Sequence, residues 1–268
     1  MLLSLFAASA AQSLQMANIY KNLKTKIQEL DSTREKLLLS EKMATVGNLA
    51  VSISHEIRNP LTTIGGFAAR ILKSIKNGNI ASIQTAAQII CTEVDNLENI
   101  LSNIMDFSKS NVINKSVNLL KDIIENSILI LTSNLKENRI LIEYMDECNE
   151  VNVNCDPIKL KQTFVNILKN SIEAIKQSQP SEPKIKIGVT VANGKIAICF
   201  ADNGCGIKEE NLKSLFTPFF TTKETGTGLG MSIIKNIIDA HNGDIKINSV
   251  VGKFTEIKIE LPVYENEK

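Results

Sequence analysis

A long stretch without glycine or proline constrains the start of this chain more than any other feature. Neither residue occurs between Leu14 and Val46. Apolar or small side chains recur there and just beyond at every seventh position: Met16, Leu23, Leu30, Leu37, Ala44 and Val51. A repeat of this period forms one seam of a coiled coil. A helix over the whole stretch would extend for about 50 Å at 1.5 Å per residue, so the sequence predicts a rod.

A second helical pattern follows the turn sequence Lys76–Asn79. Its apolar positions alternate between spacings of four and three residues: Ile83, Ala87, Ile90, Val94, Leu97, Leu101 and Ile104. Each of the two helices has one apolar stripe. A single hairpin of two such helices offers too little surface to bury both stripes. Because pairing two hairpins in a four-helix bundle buries them, we expect a homodimer.

After about residue 112 the pattern changes to alternating helices and short strands. Asp156 and Pro157 are suited to the N-cap and first turn of a helix. The predicted helices are Leu119–Leu135, Pro157–Ser178 and Leu229–Ala240, and the predicted strands are Arg139–Met145, Val151–Asn154, Lys184–Val191, Lys195–Ala201, Asp244–Val250 and Thr255–Leu261. The fold class is therefore α+β: a helical hairpin with a coiled-coil lead-in, followed by an α/β sandwich.

Charge and cysteine content exclude several classes of protein. The 30 basic and 29 acidic residues give a formal charge of +1, which argues against a nucleic-acid partner. The five cysteines include no Cys-x-x-Cys pair, which argues against a zinc site and fits a reducing cytoplasm. No apolar run reaches the roughly 18 to 20 residues that span a bilayer. The apolar start lacks a basic residue before Lys21, so we expect neither a signal peptide nor membrane insertion.

Two asparagines mark one face of the helix predicted from Pro157. Asn166 and Asn170 are four residues apart, so their side chains lie one turn above the other. Amide oxygens are suitable ligands for Mg²⁺, which usually keeps water and phosphate ligands as well. Taken alone, the pair is better explained by a solvated helix face or a helix cap.

Two glycine-rich segments in the second half indicate a site for a nucleotide. Asp202 follows a strand and could accept a hydrogen bond from an exocyclic amine such as that of adenine, with Gly204 and Gly206 beside it. The segment Gly226–Gly230 opens a helix, where backbone N–H groups favour phosphate. It is not a dinucleotide fingerprint, because Met231 stands where that pattern requires glycine, and the chain contains no P-loop. An ordinary turn would explain the first segment alone.

A phenylalanine-rich segment, Phe216–Phe220, leads to Lys223 between these two glycine-rich segments. It fits either a lid over a ligand or a hydrophobic loop that plugs the core.

The first helix carries a histidine next to an acid and a proline. His55 and Asn59 are four residues apart, and Glu56 could raise the basicity of the imidazole by a hydrogen bond. Pro60 cannot donate to the carbonyl of Glu56, so we expect the helix to bend there. His241, the other histidine, precedes Asn-Gly and is explained by a helix C-cap.

Together these segments resemble the transmitter core of a sensor histidine kinase of two-component signalling. The resemblance covers about residues 40 to 262 and rests on five segments in the family's order: the H-box Ser54–Pro60, the N-box Asn166–Ala174, the first G-box Asp202–Gly206, the F-box Phe216–Phe220 and the second G-box Gly226–Gly230. It implies a dimerisation and phosphoacceptor domain followed by a Bergerat-type domain that binds ATP with Mg²⁺.

The resemblance also assigns roles to residues. His55 would accept the γ-phosphoryl group with Glu56 as general base, and the group would pass to an aspartate of a response regulator receiver domain. Asn59 matches a pattern that some members use to dephosphorylate that regulator. Asn166 and Asn170 would hold Mg²⁺, and Asp202 would recognise adenine. The phosphates would be covered by Thr227, Gly228, Leu229 and Gly230.

The resemblance divides the chain into three parts and leaves one gap in the site. We expect a signalling helix at 1–39, a phosphoacceptor domain at 40–111 and an ATP-binding domain at 112–268. Residues 5–20 look like the closing helix of a GAF-type sensory domain. Glu173 stands where many members carry a basic residue, so the phosphate contact must come from elsewhere, and Lys169 and Lys223 are the candidates.

Two other functions share parts of this pattern. ATPases of the gyrase, chaperone and mismatch-repair kind use the same nucleotide fold but activate water with a glutamate at the position of Asn166. A catalytically idle scaffold would bind ATP and a regulator only. The presence of His55, Asn170 and Asp202 argues against the scaffold.

Overall fold

The computed structural model describes residues 15–16, 18–27, 29–30, 33, 50–108, 113–146, 151–223 and 228–264. The described residues between 15 and 33 are helical, as the seven-residue repeat predicts, and their side chains are exposed. Most of the GAF-like segment, the repeat from residue 34 to 49 and Thr227 lie outside the described residues. By internal contacts the chain forms two compact units, Met1–Asn59 with Ser108–Ser110 and Pro60–Phe107 with Asn111–Lys268.

The predicted hairpin consists of two long helices, α1 (Ala50–Lys76) and α2 (Ile80–Ser108). Gly78 has φ of 69°, a conformation that favours glycine, and the turn residue Asn79 caps α2 by accepting a hydrogen bond from Ser82 N at 3.0 Å. Close to the turn, the side chains of Arg70 and Ser74 both donate to Ser82 Oγ. The turn predicted at this point is confirmed. The bend at Pro60 stays a prediction, since α1 is assigned as one helix through it.

The two helices leave much apolar surface uncovered. Among their described side chains, those that are buried belong to Pro60, Ser74 and Ala86. Large apolar side chains remain exposed on both helices: Leu61, Leu72, Ile75, Ile80, Val94, Leu101 and Met105. Within the described residues, no helix combines the length and the apolar character needed to cross a membrane.

The rest of the described chain is an α/β sandwich. Its elements in chain order are β1 (Ser116–Leu119), α3 (Leu120–Ile130), α4 (Thr132–Glu137), β2 (Leu141–Asp146), β3 (Asn152–Cys155), α5 (Pro157–Ser178), β4 (Lys184–Ala192), β5 (Lys195–Asp202), α6 (Glu209–Leu212), α7 (Gly230–Ala240), β6 (Asp244–Val250) and β7 (Phe254–Pro262). A five-stranded sheet has the order β2-β4-β5-β7-β6, in which β2 is parallel to β4 and the other neighbours are antiparallel. A separate antiparallel pair joins β1 to β3.

Sequence patterns locate most of these elements, with three differences. The helix predicted over Leu119–Leu135 is two helices, because the backbone leaves the helical conformation at Leu131 (φ −101°, ψ 7°). The strand β1 and the short helix α6 were not predicted, and each is only four residues long. A segment of that length is too short to show a period.

The core lies between one face of the sheet and the helices α3, α5 and α7. Alternate residues of the strands point into it, as Ile196, Ile198 and Phe200 do on β5. The ring of Phe200 lies 5.3 Å from that of Phe164 on α5, measured between centroids. Full burial of a side chain of this size stabilises the fold by about 1.5 to 3 kcal/mol.

One buried histidine ties α7 to the start of α5. His241 Nε2 accepts a hydrogen bond from the backbone N–H of Asp156 at 2.9 Å, while Nδ1 lies 2.7 Å from the carbonyl oxygen of Ile237. The neutral ring protonated on Nδ1 satisfies both contacts. Burial lowers the pKa of His241. His241 is the C-cap of α7, so the C-cap prediction is confirmed.

The Asp156 carboxylate caps α5 and holds the chain that enters the sandwich. Its Oδ1 accepts hydrogen bonds from the backbone N–H groups of Ile158 and Lys159, both at 3.1 Å. Its Oδ2 accepts one from Asn114 N, also at 3.1 Å. The predicted N-cap is therefore confirmed, and the same side chain has a second role that no local pattern indicates.

Candidate active site

Asp202 lies at the last position of β5, a central strand of the sheet, and is buried. Its Oδ2 accepts a hydrogen bond from Ser171 Oγ at 2.9 Å, and its Oδ1 accepts one from the backbone N–H of Gly204 at 2.9 Å. Burial raises the pKa of Asp202, while these two hydrogen bonds act in the opposite direction. The backbone of Thr255 forms a third hydrogen bond to this carboxylate, which is therefore fixed in place and keeps room for a further hydrogen bond from a ligand.

The glycines after Asp202 allow the loop to pack closely on the rest of the fold. A Cβ on Gly204 would lie 2.6 Å from Cβ of Ala174 on α5. Gly206 has φ of 69°, and a Cβ there would overlap the carbonyl oxygen of Val250. Close approach of the protein's own backbone is thus a sufficient reason for both glycines, which the sequence had suggested as room for a flat ring.

The two asparagines lie on the same face of α5, and both are half-buried. Asn170 Nδ2 donates to Met231 Sδ at 3.7 Å, which orients the amide so that its oxygen is available to a cation or donor. The side chain of Asn166 has no hydrogen-bond partner among the described residues. The pair therefore offers amide oxygens on one side of the helix that leads to Ser171.

Of the two candidate lysines, the structure brings Lys223 to this face. Lys223 Nζ donates to Asn170 Oδ1 at 3.1 Å and also forms an ion pair with Glu173. Lys169, by contrast, is exposed and has no ion pair or side-chain hydrogen bond with any residue that the structure describes. The basic group that α5 lacks at position 173 is thus supplied by a loop.

The phenylalanine-rich segment ends in a narrow backbone contact. Phe219 N donates to the carbonyl oxygen of Gly228 at 3.0 Å, and Phe219 has φ of 65°, which is rare for a bulky residue. Gly228 also has positive φ, and a Cβ there would overlap the backbone of Phe219. Phe216 packs against the core, which agrees with a hydrophobic loop, and the role of a lid stays a prediction.

The start of α7 presents backbone donors. Leu229 is buried and precedes the helix without a side-chain cap, and a Cβ on Gly230 would meet open space. Ser232 Oγ donates to the Leu229 carbonyl at 2.9 Å. Backbone N–H groups at a helix N-terminus favour an anion.

The histidine motif lies in the first turns of α1. His55, Glu56 and Asn59 are all within the helix, and Asn59 is exposed. Glu56 is half-buried, and burial raises its pKa, which makes its carboxylate a stronger base.

Two family profiles match the chain, and they match different parts of it. Residues 155–265 match the "Histidine kinase-, DNA gyrase B-, and HSP90-like ATPase" profile, which alone does not separate these classes. Residues 46–113, which include His55, match the "His Kinase A (phospho-acceptor) domain" profile. The chain belongs to the sensor histidine kinases. The predicted family and fold class are confirmed, and the second domain is an ATP-binding domain of this family.

Named relatives agree with the assignment to the histidine kinases. The chain is 38% identical to sporulation kinase A of Bacillus subtilis over 88% of its own length and 38% of that protein. It is 32% identical to the sensor histidine kinase ZraS of Salmonella typhimurium over 89% of its own length and 50% of that protein. The chain therefore spans half or less of these two relatives.

A solved structure covers both parts of this histidine kinase chain. The crystal structure of histidine kinase ThkA in complex with response regulator protein TrrA aligns with a TM-score of 0.71 at 28% identity. The alignment covers 90% of this chain and 68% of that one. The order of a helical region before an α/β sandwich is thus shared with a kinase crystallised on its regulator.

Sequence reasoning assigned no individual role to two residues of the site, Ser171 and Phe219, although both lie within predicted segments. Ser171 follows Asn170 directly, and its signal was a hydroxyl on the apolar side of an amphipathic helix, where it needs a partner. Phe219 belongs to the predicted phenylalanine-rich segment, but its left-handed backbone has no sequence signal, because it depends on the contact with Gly228.

Proposed function

We propose that this chain is a transmitter that phosphorylates itself on His55 with ATP and passes the phosphoryl group to a response regulator. The observation that carries the proposal is the phosphoacceptor profile over His55, ahead of an ATP-binding domain with a buried Asp202. An ATPase that transfers phosphate to water would have no use for that first domain.

Adenine would be recognised by Asp202. Ser171 and Gly204 hold its two carboxylate oxygens, so a remaining lone pair can accept the exocyclic amine of adenine. Guanine carries a carbonyl oxygen at that position, which a carboxylate repels. Gly204 and Gly206 keep this loop against α5 and the end of β6.

The donor set on α5 suits Mg²⁺. Asn170 Oδ1 already accepts a cationic group, the ammonium of Lys223, and the Asn166 amide has no partner among the described residues. Hard amide oxygens beside an anion site fit magnesium, which would neutralise phosphate charge when bound. The N–H groups at Gly228, Leu229 and Gly230 would face the phosphates, and Thr227 keeps its predicted role in the same segment.

The transfer itself requires an imidazole nitrogen, a base and correct positioning. A nitrogen of His55 would attack the γ-phosphorus, so that an N–P bond forms while the bond to the β–γ bridging oxygen breaks and ADP leaves. Glu56 would take the imidazole proton. In the second step a carboxylate oxygen of the regulator's aspartate would attack the same phosphorus, and the N–P bond would break.

Several further properties belong to the same proposal. Asn59, exposed one turn after His55, would take part in dephosphorylation of the regulator. The exposed apolar side chains of α1 and α2 support a homodimer through a four-helix bundle. We place the chain in the cytoplasm, where ATP and reduced cysteines occur together. The domain bounds of 1–39, 40–111 and 112–268 remain part of the proposal.

Phosphorylation of the purified chain with γ-labelled ATP tests the proposal. We expect a label that is labile in acid and stable in base, and that is lost in His55→Gln while that variant still binds ATP. Asp202→Asn should lose both the label and the binding of ATP. Label that persists in His55→Gln, or release of phosphate without label, would refute the proposed function.

A further inference from the structure

The Lys223 ammonium joins a loop to α5 across 50 residues of sequence. It contacts Asn170 Oδ1 at 3.1 Å and forms an ion pair with Glu173. Because Asn170 and Glu173 are three residues apart on one helix, both acceptors face the same side. The hydroxyl of Thr221 accepts a hydrogen bond from Lys223 N at 3.1 Å and keeps the backbone of Lys223 in a turn.

The two acceptors differ in what a bound nucleotide would require of them. Asn170 Oδ1 is the oxygen that the proposed function assigns to magnesium, and it accepts a hydrogen bond from Lys223 Nζ. A metal ion and an ammonium repel each other on one oxygen, so the lysine must leave Asn170 when the metal binds. Glu173 is not needed by the metal and can retain the lysine.

Without Lys223, the charge of Glu173 would disfavour the binding of ATP. Its carboxylate lies one helical turn from Asn170, so without a counter-charge it would repel the triphosphate of ATP. With Lys223 attached, the pair is neutral, and two of the three ammonium protons are used. The remaining donor is free for a phosphate oxygen.

We propose that Glu173 is a positioning residue for Lys223. It holds the ammonium next to Asn170 and keeps it beside the phosphates when Mg–ATP takes that oxygen. Lys223 in turn neutralises Glu173, so the two side chains act as one unit. This inference rests on the proposed function, since it assigns a role within the ATP site.

The expected effects are modest and have a defined sign. The side chains of Lys223 and Glu173 are 47% and 55% exposed, and exposed ion pairs of this kind account for about fivefold in an equilibrium at most. Glu173→Gln should therefore raise the Kd and the KM for Mg–ATP about threefold and leave kcat unchanged. Adenosine, which would contact the Asp202 end only, should bind both proteins equally.

A double-mutant cycle on the full chain tests the pairing. Lys223→Met should weaken Mg–ATP binding more than Glu173→Gln does, because it removes the phosphate contact and exposes the carboxylate. In the Lys223→Met background, Glu173→Gln should then improve binding. Binding of Mg–ATP and of adenosine would be measured by titration calorimetry for the wild type, both single variants and the double variant.

A second ion pair provides a matched control. Lys186 and Glu143 pair at 3.1 Å between β4 and β2, with similar exposure, and Lys186 lies on the face of β4 opposite to the buried Ile185 and Ile187. Glu143→Gln should leave the affinity for Mg–ATP unchanged. If Glu143→Gln raised the Kd as much as Glu173→Gln does, the loss of affinity would come from the change in net charge and not from the position of Glu173, and the inference would be overturned.

Three other outcomes would overturn the inference. They are an unchanged Mg–ATP affinity in Glu173→Gln, an equal loss of adenosine affinity, and the same loss from Glu173→Gln in both backgrounds. Failure of the wild type to bind Mg–ATP would instead refute the proposed function, so the two failures are distinguishable.

Discussion

Apolar side chains are largely exposed on the helices α1 and α2 but largely buried in the α/β sandwich. In the described parts of α1 and α2, large apolar side chains such as Leu72, at 67% exposed, face outward. In the sandwich, helices and strands contribute to one buried cluster, in which Leu168 and Ile198 have no exposed surface. One region completes its core within a single chain, and the other leaves apolar area for another surface to cover.

This contrast separates two sources of stability. The sandwich is held by close packing and by specific hydrogen bonds such as those of His241, so its fold is a property of one chain. Two helices with a single apolar stripe each have no such interior, and most helical stability in proteins comes from packing. We therefore expect mutations in the two regions to be detected by different measurements.

The largest effect should come from the core of the sandwich. Leu168→Ala removes a side chain with no exposed surface and should lower the free energy of unfolding by about 2 to 5 kcal/mol, because a cavity remains. Denaturant unfolding would measure it. Leu129→Ala on α3, where the leucine is 69% exposed, is the matched control and should change the value by less than about 0.5 kcal/mol. Equal losses in both variants would remove the contrast between buried and exposed positions.

A smaller effect is expected on self-association. Leu72→Asp places a charge on the exposed apolar surface of α1, and each of two copies would bring one. We expect the Kd of the dimer to rise by at least about tenfold, since a buried leucine contributes about 1.5 to 3 kcal/mol. Sedimentation equilibrium would measure it, with Leu129→Asp as the control for added charge. A monomeric wild type, or a dimer unaffected by Leu72→Asp, would show that another surface covers these side chains.

The smallest effect concerns pH. Burial lowers the pKa of His241 below its ordinary value of 6.5, so below about pH 6.5 the unfolded chain binds a proton that the folded chain does not. The free energy of unfolding should therefore fall as the pH decreases from about 6.5, with a slope of at most about 1.4 kcal/mol per pH unit.

The two histidines allow this slope to be assigned. Urea unfolding at several pH values should show the slope in the wild type and in His55→Gln, and a reduced slope in His241→Gln. If His55→Gln removed the slope and His241→Gln kept it, the pH dependence of the free energy of unfolding would not come from the neutral state of His241.

The elements with strong local signals were predicted to the residue. The helix Pro157–Ser178 has Asp156 as its cap and a proline in its first turn, and the strand Asp244–Val250 follows the turn residues Asn242 and Gly243. The break at Leu131 was not predicted, because neither glycine nor proline marks it. Strand β1 depends on pairing with β3, which lies more than 30 residues further along the chain.

The candidate site shows the same division between local and distant contacts. Asn166, Asn170 and Asp202 were predicted because their own neighbours in sequence form recognisable segments. The contact of Lys223 with Glu173 was not predicted, since 50 residues separate the two and no periodic pattern connects them. Sequence reasoning named two lysines as candidates for a phosphate contact that Glu173 cannot make, and the fold brings one of them to α5.

The carboxylate of Asp156 has a consequence for how this protein can be altered. One oxygen caps the helix that carries both asparagines, and the other holds the backbone of Asn114, where the chain enters the sandwich. A single substitution of Asp156 would therefore remove the hydrogen bond to Asn114 and the cap on the first turn of α5 at the same time. The two properties therefore cannot be tuned separately through this residue, and any engineered fusion at residues 109–113 inherits that coupling.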